Sequence, residues 1–94
     1  MPTMKALFKL GRTVATPAAL AAIAEAGQTP GDFLARHQAG DWGGVSADDT
    51  KENELSLKEG ERLLSVYWTA QEVKLYVITE ADRSSTCILL PEEY

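Results

Sequence analysis

His37, Arg62, Glu80 and Arg83 are the side chains of this sequence whose types could act together on a substrate. A carboxylate base, a histidine acid and two arginines for a phosphate are the working parts of a metal-independent ribonuclease. That chemistry needs base and acid on either side of one phosphate, with the arginines aimed at oxygens on which charge develops. No defined spacing links the four. Glu80, Asp82, Arg83 and Thr86 share one short polar segment, and residues of these types ordinarily just make a turn. His37 follows Phe33 by one helical turn, which directs it to the apolar side as a packed core residue. It is the only histidine, and the only cysteine, Cys87, is far from it in sequence. That pair and scattered carboxylates match no zinc or calcium ligand pattern, so neither metal nor cofactor is expected. Phosphate-binding glycine loops, nucleophile elbows and dinucleotide fingerprints are absent from the sequence. The expectation is a non-enzymatic protein, with a small ribonuclease-like toxin as the alternative.

The corner that would hold such chemistry is Arg36-His37-Gln38-Ala39-Gly40-Asp41-Trp42-Gly43-Gly44, followed by Ser46-Ala47-Asp48-Asp49. Trp42 is expected to plug a junction of helices and sheet, with its indole N–H bonded to a carbonyl. Asn53 is expected to face inward and to find its partners at the Gly40–Gly44 corner, since a buried amide must be bonded.

Charge points to a different kind of function. The net charge is −5, and residues 46–61 hold Asp48, Asp49, Glu52, Glu54, Glu59 and Glu61 against only Lys51 and Lys58. General nucleic-acid binding needs a basic footprint that releases counterions, and this chain lacks one. An acidic face suits either solubility or a basic protein partner. Asp48, Asp49, Glu52, Glu59 and Glu61 are the candidate partner-binding carboxylates.

These residues need elements to position them. Ninety-four residues make one domain spanning 1–94. Residues 1–12 are expected as an arm or short strand, 16–60 as helices and 62–91 as the sheet. Thr16-Pro17, Thr29-Pro30 and Ser46 with Asp49 are three helix starts, each pairing a capping oxygen with a proline or a capping-box acid. Leu20, Ile23 and Ala24 are the expected apolar stripe of the first helix. From Arg62 the period changes to two: Leu64, Val66 and Trp68 alternate with Leu63, Ser65 and Tyr67. Val73, Leu75 and Val77 then alternate with Lys74, Tyr76 and Ile78, and Thr86 to Leu90 form a last strand before Pro91. This order predicts an α+β fold with three N-terminal helices on one face of a three-stranded antiparallel meander. Tyr67, Tyr76, Ile78 and Leu63 are expected to share the other face. Tyr67 and Tyr76 are thereby candidate partner contacts, and a homodimer through that strand face is a further alternative. The apolar run near the N-terminus is too short for a signal peptide, and Thr13–Ile23 is too short to span a bilayer. A cytoplasmic protein without membrane contact is expected, and its single cysteine fits a reducing compartment.

The pattern Arg36-His37, Gly40-Asp41-Trp42-Gly43, Asp49, Asn53, Ile78-Thr79-Glu80-Ala81-Asp82-Arg83-Ser84, Thr86 and Leu90-Pro91-Glu92-Glu93-Tyr94 resembles a family of small plasmid-related proteins. These are carried on bacterial plasmids, prophages and integrative elements and are often labelled type I restriction endonuclease M-subunit-like. The resemblance runs from Val14 to Tyr94, with Thr86-Cys87-Ile88 departing from the family's double threonine. A methyltransferase needs a doubly wound sheet with a glycine-rich first turn, and this chain has neither the length nor the turn. The resemblance implies residence on a mobile element, where small acidic proteins often block host defences. The expected function is therefore inhibition of a host defence complex, anti-restriction or anti-CRISPR in type, through an acidic surface.

Overall fold

A computed structural model describes residues 6–94. Its elements run β1 (Arg12–Ala15), α1 (Pro17–Glu25), α2 (Pro30–Gln38), α3 (Ala47–Glu59), β2 (Leu63–Trp68), β3 (Lys74–Thr79) and β4 (Ser85–Leu89), with a terminal 3-10 turn at Pro91–Glu93. Each helix starts on local chemistry. The Thr16 hydroxyl accepts from the Ala19 N–H, the Asp32 carboxylate accepts from the Thr29 N–H, and the Ser46 hydroxyl accepts from the Asp49 N–H. Asp48 and Asp49 add negative charge at the positive end of α3.

The sheet is four-stranded and mixed, in the order β1-β4-β3-β2, with β1 parallel to β4. This overturns the three-stranded antiparallel meander. The strand expected within residues 1–12 starts instead at Arg12, and part of that range (residues 1–5) lies outside the described residues. Parallel pairing needs a long crossover, and here α1, α2, α3 and two strands intervene between β1 and β4. Gly11 permits the close approach: its φ is +67°, and a Cβ there would collide with the Arg83 and Ser84 backbone.

Nor do the three helices share one sheet face. The core of Ala19, Ile23, Phe33, Tyr67, Leu75, Val77 and Ile88 joins α1 and α2 to one face. α3 instead runs along the outer edge of β2, where the Asn53 side-chain amide donates to the Leu64 carbonyl and accepts from the Leu64 N–H. The same edge is closed further along by the loop before α3. The Val66 N–H donates to the Trp42 carbonyl, and the Gly44 N–H donates to the Val66 carbonyl. An exposed strand edge is a pairing hazard, and β2 is covered by one amide and one loop. Asn53 thus bonds β2 and not the Gly40–Gly44 corner. On α1 the inward line is Ala19 and Ile23, one helical turn apart, while Leu20 remains exposed. An alanine-rich helix offers no contrast from which to read its buried side.

Register corrects the assignment of sheet faces. Tyr67 pairs with Leu75, and Tyr76 pairs with Val66 and Leu89. Tyr67 and Leu63 therefore lie with Leu75 and Val77 beneath the helices, while Tyr76 and Ile78 occupy the opposite face. β2 reads Leu-Leu-Ser-Val-Tyr-Trp, apolar at both parities, so alternation alone could not choose its inner side.

Candidate functional site

His37 projects from α2 onto the covered sheet face and is fully buried. Its Nδ1 lies 2.5 Å from the Ser65 hydroxyl, and its Nε2 lies 2.8 Å from the Thr79 hydroxyl. The Thr79 and Thr86 hydroxyls are 2.7 Å apart, and Thr86 donates to the Leu10 carbonyl at 2.7 Å. That last bond uses the Thr86 proton, so Thr79 donates to Thr86 and must accept from His37. Nε2 therefore carries the ring proton, and Ser65 donates to Nδ1. Burial, with the Arg83 charge adding to it, lowers the His37 pKa to about 4. The imidazole is a neutral member of a closed chain of hydroxyls. Phe8 and Trp42 meet it edge-on, with ring centroids at 5.2 and 5.8 Å.

The other members of the ribonuclease-like set lie apart from it. Arg83, in left-handed backbone with φ of 60°, gives its guanidinium to the carbonyls of Ser56, Glu61, Glu80 and Ala81. Two of those carbonyls belong to the end of α3 and its exit, so Arg83 caps the negative end of that helix. Arg62 and Glu80 form an exposed ion pair at 3.5 Å, and Arg62 also donates to the Tyr94 hydroxyl. The structure thus brings Arg62 to Glu80, buries His37 and commits Arg83 to backbone oxygens. Among the described residues, no group of three or more His, Cys, Asp or Glu side chains could hold a metal ion.

Trp42 is buried where helix, loop and β2 meet, and its indole N–H reaches the Glu54 carboxylate at 3.3 Å instead of a carbonyl. The corner around it is held by polar bonds. Asp41 pairs with Arg36 at 2.7 Å and accepts from the Gly43 N–H, while its carbonyl accepts from the Tyr67 hydroxyl. The Arg36 bond holds the Asp41 carboxyl below the usual range. Burial raises the Tyr67 phenol to about 12, and Arg36 stacks 4.4 Å from its ring centroid. Tyr67 is buried in the core, on the covered face and not on the open one. Tyr76 is half-buried, with the Tyr94 ring edge-on at 5.9 Å, so the face expected to lie open carries the C-terminal aromatic.

The carboxylates of 46–61 are arranged differently. Asp48, Asp49, Glu52, Glu59 and Glu61 are all exposed, and none forms a salt bridge among the described residues. Asp48, Glu52, Leu55 and Glu59 recur at helical spacing along one stripe of α3. Leu55, 51% exposed, interrupts the acids with an apolar contact. Lys51, Glu54 and Lys58 occupy the neighbouring flank, with Glu54 one turn before Lys58 as in a stabilising helix pair. Beside the stripe, Asp49, Glu52 and Glu61 rim a hollow of about 340 Å³ floored by Asn53, Ser56 and Leu64, with Arg62 at its end. Leu55 among the acids is the feature that sequence reasoning missed; its helical spacing with Asp48 and Glu52 was the available signal.

No protein-family model, curated protein or solved structure matches this chain. No helix among the described residues is long and apolar enough to cross a membrane.

Proposed function

We propose that the protein is a non-enzymatic inhibitor from a mobile genetic element, acting in the cytoplasm by covering a basic surface of a host defence complex. The observation that carries this reading is the acid stripe of α3. It presents carboxylates that form no salt bridge among the described residues, around one exposed leucine, on a helix fixed to the sheet by Asn53 and Arg83. Burying charges that already had partners would yield little, whereas free carboxylates can steer and pair with a basic channel. An apolar residue within a polar rim is the usual layout of a binding surface. The buried, neutral His37 and the committed Arg83 lend no support to phosphoryl chemistry.

The test is protection of incoming DNA. Bacteria carrying a restriction or CRISPR system and expressing this protein should take up an unmodified, targeted plasmid at least about tenfold better than cells with the empty vector. Equal uptake across both kinds of defence system would overturn the proposal.

A further inference from the structure

The two edges of the sheet are finished differently. Asn53 and the Trp42–Gly44 loop bond the outward groups of Leu64 and Val66 on β2. At the other edge, the Arg12 N–H donates inward to the Ser84 carbonyl just before β4, and the Thr16 N–H to the Ile88 carbonyl within it. A parallel ladder alternates, so Thr13 and Ala15 turn their N–H and C=O outward. Among the described residues nothing bonds these four groups. Val14 is 45% and Leu20 44% exposed beside them, and an apolar hollow of about 270 Å³ lies along the edge against Pro30 and Leu34.

We propose that β1 pairs antiparallel with β1 of a second copy, making one eight-stranded sheet about a two-fold axis at Val14. In that register the Thr13 groups of one copy meet the Ala15 groups of the other. All four outward groups on each strand are then bonded, giving four hydrogen bonds across the dyad. The two Val14 side chains face each other, and Arg12 stands opposite the other copy's Thr16.

Charge singles out a second copy as the occupant. The Thr16 hydroxyl donates to the Glu93 carboxylate at 2.6 Å, so an acid sits beside Thr16. Arg12 is exposed and forms no salt bridge among the described residues. Antiparallel pairing carries each Arg12 to the other copy's Glu93, forming two ion pairs related by the dyad. A strand without an acid at that position would leave Arg12 unpaired. So short an interface implies a weak, concentration-dependent dimer, with a dissociation constant on the order of micromolar.

Sedimentation equilibrium across a range of concentrations tests the pairing. Wild-type protein should shift from monomer to dimer, and Thr13→Pro should weaken the dimer roughly thirtyfold by removing two of its four bonds. The Thr13 N–H is unused among the described residues, so proline there leaves the monomer folded; circular dichroism checks this. Arg12→Glu and Glu93→Arg should each dissociate the dimer alone, and mixing them should restore it, because both ion pairs re-form in the heterodimer. A monomer at every concentration, or a dimer indifferent to Thr13→Pro, would overturn the proposal. A dimer that the mixed variants do not recover would overturn the register.

Discussion

At the scale of single residues, polar bonding fixes the setting of each candidate side chain. His37 looks like a catalytic candidate in the sequence because it is the lone histidine beside a glycine-rich corner. In the structure it is bonded by Ser65, Thr79 and Thr86, three hydroxyls far apart in sequence that satisfy both ring nitrogens and one another. Spacing could place His37 inward from Phe33, but it could not reveal that partners waited on three different strands. The consequence is a pH dependence with a definite sign. The folded pKa of about 4 lies below the ordinary 6.5, so the unfolded chain binds the proton more readily. Stability from this group is complete above pH 6.5 and falls as pH drops toward 4, by roughly 3 kcal/mol. Denaturant melts between pH 7 and 4 should show that loss, and His37→Gln should flatten it. Purified protein incubated with RNA should leave the strand intact.

At the scale of elements, local signals are legible and long-range pairings are not. Thr16-Pro17, Thr29-Pro30 and Ser46 mark helix starts because a cap is made by residues within one turn. The four residues of β1 carry no comparable signal, since their partner strand begins at Ser85. The inner face of β2 was illegible for a different reason: both parities are apolar, and the inner one includes Ser65, which only His37 makes tolerable inside. The Trp42–Gly44 loop should be intolerant of change. At Gly43, φ is +71° and a Cβ would strike the Val66 carbonyl and the Tyr67 ring. Gly43→Ala should therefore cost several kcal/mol, on the order of 3, through backbone strain and loss of the edge bonds. Trp42→Ala should cost about 3–5 kcal/mol by leaving a cavity between Phe8, His37 and the sheet. Chemical denaturation of the two variants checks both values. Asn53→Leu should open the β2 edge and cost about 1–3 kcal/mol, because the Leu64 groups lose their partner.

At the scale of the whole molecule, a closed interior contrasts with an asymmetric exterior. Sequence composition located the carboxylates of 46–61, but only the docking of α3 through Asn53 and Arg83 determines which of them face solvent together. That docking separates the acid stripe of Asp48, Glu52, Leu55 and Glu59 from the flank of Lys51, Glu54 and Lys58. If the protein inhibits by covering a basic surface, the two sides of one helix must differ in effect. The decisive measurement is therefore uptake of a targeted plasmid in defended cells expressing α3 variants of matched stability. Glu52→Lys with Glu59→Lys should lower protection at least about tenfold, while Lys51→Glu with Lys58→Glu leaves it unchanged or improved. Full protection by the acid-stripe variant would contradict binding through this surface.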